Sequence, residues 1–153
     1  MLMRLAIVLA AVPVALILHL ESDSIAPLII VTVLTAITAL MPGSAGAALL
    51  IGYAAVAMAF ADGHPLRLGV LLMIPALHLI HVTAALAAVV PVKTRIEPAA
   101  LKAPARRFAI VQAISFAVAG IAAFVPSGPN IGLVELLGLG ALTVVIAVVA
   151  LRI

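Results

Sequence analysis

Residues 25–61 read IAPLIIVTVLTAITALMPGSAGAALLIGYAAVAMAFA, 37 residues without a charged side chain. As one helix this block would be about 55 Å long at 1.5 Å per residue, against about 30 Å for the hydrocarbon core of a bilayer. Its middle carries Met41-Pro42-Gly43-Ser44-Ala45-Gly46. Proline lacks the amide donor that a helix needs and glycine permits a tight turn, so the block divides there. Two short helices are expected, 25–40 and 44–61, which either cross a bilayer one after the other or form a re-entrant hairpin split at Pro42-Gly43.

The remainder of the chain has the same character. Of its 153 residues 67% are hydrophobic and 8% are charged, whereas a soluble domain is about 45–50% apolar and about 25% charged. Such a chain cannot cover its own surface with polar groups, which argues against a soluble enzyme, a nucleic-acid-binding domain and a disordered tail. With no Trp and one Tyr it also lacks the aromatic girdles of a membrane barrel. The absence of cysteine excludes disulfides, thiolate metal sites and cysteine nucleophiles. Besides 25–40 and 44–61, apolar blocks occupy 5–20, 66–92, 108–125 and 131–151. Residues 21–24 (ESDS), 62–67 (DGHPLR), 93–107 and 126–130 (PSGPN) separate them. The expected fold is an all-α integral membrane protein, a single polytopic domain over residues 1–153 built as a compact bundle of six short transmembrane helices.

Charge orients the bundle. Five of the eight basic residues, Lys93, Arg95, Lys102, Arg106 and Arg107, stand in residues 93–107 against a single acid, Glu97. Basic loops stay in the cytoplasm, so residues 93–107 are read as a basic cytoplasmic loop. Arg4 puts the N-terminus on the same side, which requires an even number of crossings between Arg4 and Lys93; counting 25–61 as two spans satisfies this. Six spans also bring Arg152 inside, giving an N-in, C-in topology, and leave Glu21, Asp23, Asp62 and Glu135 outside. The first segment resembles a signal peptide with Arg4 as its charged region, but no small-x-small site follows the apolar run, which favours a retained anchor. The preference for Arg over Lys, with heavy use of Ala and Val, points to a bacterial source. The expected location is therefore a bacterial plasma (inner) membrane, multi-pass.

One internal echo stands out. Residues 4–19, RLAIVLAAVPVALILH, and 67–81, RLGVLLMIPALHLIH, share Arg-Leu, an aliphatic run, a proline and a histidine six residues later. With three spans per half this would be an inverted repeat, an arrangement common in secondary transporters. Aliphatic matches come easily in so apolar a chain, and the second half carries no further echo.

Polar residues inside apolar spans are the natural functional candidates. His78 and His81 lie three residues apart on one helix face, one turn after Pro75. With Thr35 (flanked by Thr32 and Thr38), Gln112 and Ser115 they form a predicted intramembrane polar seam. It would serve as a proton relay, a substrate contact, a haem or metal ligand, or simply as hydrogen-bonded packing between helices. A second group, His19, Glu21, Asp23, Asp62, His64 and Glu135, collects on the outer face, where helix capping and solvation explain it as well as a cation site does. Asp23 or Ser24 is the expected cap of the second helix, and Arg67 or His64 the expected partner of Glu135. The third group, Lys93, Arg95, Lys102, Arg106 and Arg107, suits the docking of anionic lipid or of an acidic protein partner.

No catalytic constellation is recognisable: there is no aspartate pair within a span, no His-Glu-x-x-His, and no phosphate-binding glycine loop. The expectation is a non-catalytic membrane subunit or assembly partner of a larger membrane complex, not an enzyme, with the lipid bilayer and membrane proteins or further copies of itself as partners and no nucleic acid. No cofactor or metal is required. The alternatives are a small proton- or cation-coupled transporter with His78 and His81 in its path, and a haem- or metal-binding subunit.

Overall fold

A computed structural model describes residues 2–22, 24–61, 66–92, 94 and 96–124. These residues form α1 (Leu2–Ser22), α2 (Ala26–Leu40), α3 (Gly46–Phe60), α4 (Leu68–Val89), a 3-10 turn (Pro98–Leu101) and α5 (Lys102–Ala123). No strand occurs among the described residues. The expected sixth span, 131–151, lies outside them, so the described chain accounts for five helices.

The division of residues 25–61 falls where the sequence places it. The Met41 amide donates to the Ile37 carbonyl (2.8 Å), the Ser44 amide donates to the Met41 carbonyl (2.9 Å), and α3 begins at Gly46. Gly46 permits the return of the chain: a Cβ there would stand 2.8 Å from the Thr38 hydroxyl and 3.1 Å from the Thr38 amide nitrogen. At the other end of α2, Ser24 Oγ accepts from the Ala26 amide (3.2 Å) and Pro27 occupies the first turn, where its missing amide donor costs nothing.

The fifth helix departs from expectation. It begins at Lys102 rather than Phe108, so Lys102, Arg106 and Arg107 are helical residues and not part of a loop running to position 107. Pro104 does not prevent this because it stands in the first turn, where no intrahelical bond to its nitrogen is needed.

α1 is the hub, packing on α2, α3 and α4, while α3 also packs on α2 and α4. It buries Ile7, Ala10, Ala11, Val14 and Leu18. Against these stand Val31 of α2, Leu50, Ala54 and Met58 of α3, and Met73, Ala76 and Ile80 of α4. The alanines let the backbones approach closely, the main route to tight association between apolar helices. α1 and α4 run antiparallel. Glu21 meets Arg67 at one end, and Met3 and Arg4 line a crevice with Ala87, Val90 and Ile96 at the other. The Arg4 end and the Glu21 end name the two ends below.

α1, α4 and the segment Pro98–Ala123 are long and apolar enough to cross a membrane. α2 and α3, 15 residues each, reach only about 22 Å. Their outer ends lie at the Glu21 end, since Arg67 also donates to the Met58 carbonyl near the end of α3 (3.4 Å). If straight, the hairpin of α2 and α3 stops about 9 Å short of the Arg4 end, measured against the 21 residues of α1. Both readings of the hairpin return the chain to the end where α2 starts, so neither alters which end receives residues 90–102.

The echo between α1 and α4 has a spatial counterpart. Pro13 and Pro75 line the same apolar groove between the two helices, with Ile17, Leu72 and Phe108. Helical structure continues through both prolines. The halves nevertheless do not pack alike: α2 lies along α1, whereas α5 has no comparable run of contacts with α4.

Candidate functional site

His78 stands near the middle of α4, eleven residues before Val89, and Gln112 stands ten residues into α5. At 1.5 Å per residue these are about 16 and 15 Å from the helix ends at the Arg4 end, so two antiparallel helices bring them level. Gln112 Nε2 donates to His78 Nδ1 at 2.6 Å. One turn earlier on α5, Phe108 stacks on the imidazole, with ring centroids 4.8 Å apart and planes inclined by 24°. His78 is therefore held by two residues four apart on α5. Gln112 is 8% exposed, and its carbonyl Oε1 is buried without a hydrogen-bond partner among the described residues.

The rest of the predicted seam is distributed. His81, one turn along α4, is exposed, and Ser115, one turn beyond Gln112, is half-buried. Thr35 is buried on α2, which packs against α1 and α3; its hydroxyl has no hydrogen-bond partner and no bond joins it to the His78–Gln112 pair. Thr38 is fully buried and donates to the Leu34 carbonyl within its own helix (2.7 Å), while Thr32 is exposed. What the sequence suggests as one seam is thus a His78–Gln112 pair plus threonines turned inward on α2.

Phe108 is the site residue that sequence reasoning missed, having marked only the start of an apolar block. Its signal is spacing: four residues before Gln112, it shares the latter's face. Thr83 was also missed. It is buried and turned back on its own helix, donating to the Leu79 and Ile80 carbonyls at 2.7 and 3.1 Å.

At the Glu21 end the structure shows an ion pair that the sequence did not single out. Arg67 Nε donates to Glu21 Oε2 at 2.7 Å, with both side chains largely covered. Glu135, the partner anticipated for Arg67, lies outside the described residues, as do Asp23, Asp62 and His64. The Glu21–Arg67 bridge ties the end of α1 to the start of α4, and Gly69 makes room for it: a Cβ there would run into the Glu21 carboxylate. His19 Nδ1 donates to the Ser24 carbonyl at 2.9 Å, securing the turn between α1 and α2. Among the described residues no three His, Asp or Glu side chains gather in a way that could hold a metal ion. His19 stands three residues before the end of α1 and His78 ten residues into α4, so the two are not level along their helices.

Of the basic group, Lys93 and Arg95 lie outside the described residues. Lys102, Arg106 and Arg107 are exposed on the first two turns of α5 and form no ion pair among the described residues. α5 turns Pro104, Phe108, Gln112, Ser115 and Ala119 inward, all at least half-buried, and Gln112 is its only buried residue.

Comparison of the chain with known protein families, curated proteins and solved structures gives no match.

Proposed function

We propose that this chain is a polytopic protein of a bacterial inner membrane, N-in and C-in, acting as a non-catalytic membrane subunit or docking partner of a larger membrane complex. Three helices long and apolar enough to span a bilayer support the membrane reading. So do the exposed apolar side chains around the bundle, among them Leu9, Leu16, Leu72, Ile114 and Ile121. Placing the Arg4 end in the cytoplasm follows from the basic residues gathered there. Because the chain has no cysteine, single probes have no background. Ala45→Cys in the α2–α3 turn and Ala103→Cys on α5 should label from the cytoplasmic side only. Labelling of Ala103→Cys from outside would overturn the orientation.

The subunit reading is carried by α5, an apolar helix of 22 residues whose only buried residue is Gln112. Among the described residues little covers this helix, which leaves most of its surface to lipid and to a neighbouring protein. The chain extracted from its native membrane in mild detergent should form a particle containing a second polypeptide in fixed ratio. A particle that holds this chain alone, in one copy, overturns the subunit reading.

A second reading, proton- or cation-coupled transport, is favoured by the His78–Gln112 pair halfway along an apolar helix, where polar groups are costly. It predicts proton or cation flux in proteoliposomes that His78→Ala abolishes while thermal stability changes little. Absence of flux in the wild-type chain sinks it.

A further inference from the structure

The inward stripe of α5, Pro104-Phe108-Gln112-Ser115-Ala119, fixes what its other side carries. At 100° per residue, Ala103, Arg106, Ile110, Ile114 and Ile121 fall on the opposite face, with Arg107 and Val118 along its flank. That face is graded along its length. Lys102, Arg106 and Arg107 crown it, and from Phe108 to Phe124 no charged residue follows. Ile114, Val118 and Ile121 below them are exposed. A shallow concavity runs from the charged part to the apolar part, lined by Lys102, Ala103, Arg106, Arg107 and Ile110. From Arg106 to Val118 the helix rises about 18 Å, close to the ~15 Å depth of one hydrocarbon leaflet.

We propose that this outward face of α5 holds an anionic phospholipid, its phosphate among Lys102, Arg106 and Arg107 and its acyl chains along Ile110, Ile114 and Val118. The inference rests on the membrane reading above. Charge complementarity selects the occupant's head: three cations stand together, and Glu97, the nearest acid in sequence, is exposed on the preceding turn. The axial gradient selects its body. An acidic protein surface would satisfy the cations but would not extend into the concavity toward Ile110, whereas a phospholipid has the same order of charge over hydrocarbon. Each arginine supplies a planar fork of donors suited to phosphate oxygens, and Lys102 adds a point charge.

The test uses the full chain in nanodiscs of equal parts phosphatidylglycerol and phosphatidylcholine, with native mass spectrometry counting the lipids that remain bound. Wild type should retain phosphatidylglycerol preferentially, by up to about fivefold per cation, and the preference should shrink as salt rises. K102Q/R106Q/R107Q should lose it while inserting as well as wild type, and R4Q should keep it. If wild type retains the two lipids equally, or the triple variant keeps the wild-type preference, the inference is overturned while the membrane reading stands. If an acidic protein from the expression host occupies the face in place of lipid and is displaced by the triple substitution, the occupant is wrong. A chain that an alkaline carbonate wash removes from native membranes overturns the membrane reading itself.

Discussion

α1 and α5 are nearly equal in length and both are apolar, yet they stand in opposite relations to the rest of the molecule. α1 buries five residues spread over its whole length, from Ile7 to Leu18, and touches three helices. α5 buries Gln112 alone and reaches α4 through that amide and the Phe108 ring. The contrast teaches that hydrophobicity does not select the hub of such a bundle. In the bilayer proposed for it, where lipid is as apolar as leucine, association depends on close fit and on polar groups that need partners. Ala10 and Ala11 supply the close fit on α1, with Ala54 and Ala76 on the helices it meets, whereas α5 meets α4 at a hydrogen bond and a ring stack.

The largest expected effect opposes the two helices directly. Leu18, 2% exposed, fills the α1 core, and Leu18→Ala should destabilise the protein by about 2–4 kcal/mol through the cavity it leaves. Ile114→Ala on α5, 59% exposed, should stay within about 0.5 kcal/mol. Thermal unfolding in one detergent reads both, and equal losses would erase the distinction between hub and periphery.

An intermediate effect tests the seam between α1 and α4. Gly69→Val pushes a side chain into the Glu21 carboxylate and should cost about 1–3 kcal/mol by forcing the Glu21–Arg67 bridge apart. Gly52→Ala, where nothing lies within 4 Å of the added Cβ, serves as the matched control and should be close to neutral. A Gly69→Val protein as stable as that control would show that the bridge does not hold these helix ends.

The smallest effect concerns the attachment of α5. A double-mutant cycle of His78→Ala and Gln112→Ala should give a coupling of about 0.6–1.7 kcal/mol, the range for hydrogen bonds between helices in a membrane. Thr35→Val, which removes a buried hydroxyl that has no partner, should be neutral or slightly stabilising. Zero coupling at His78–Gln112 would leave α5 without the polar tie that distinguishes its docking from that of α1.

Several features are legible in the sequence alone. Pro42 and Gly43 divide residues 25–61 because a missing donor and a flexible backbone act locally, whatever surrounds them. The return of the chain so that Arg4 and residues 90–102 share an end follows from block lengths and the placement of basic residues. His78 and Gln112 stand at one level because helix rise is fixed and their helices are antiparallel. The start of α5 was misplaced by six residues, because charge and Pro104 suggest a loop although both are tolerated in the first turns of a helix.

What the amino-acid sequence by itself determined is therefore local and one-dimensional: helical class, the break at Met41–Ala45, and the order of charge along the chain. The tertiary structure alone decided which faces meet. It paired Arg67 with Glu21 and stacked Phe108 on His78. It set Thr35 apart from the His78–Gln112 pair and, among the described residues, left the outward face of α5 exposed. The physical reason is common to all four. A helix of a soluble protein declares its buried side by alternating polar and apolar residues, but helices apolar all round carry almost no such alternation. Their buried faces are chosen by shape, by small residues and by the few polar groups that find one another, and those choices exist only once the helices are packed.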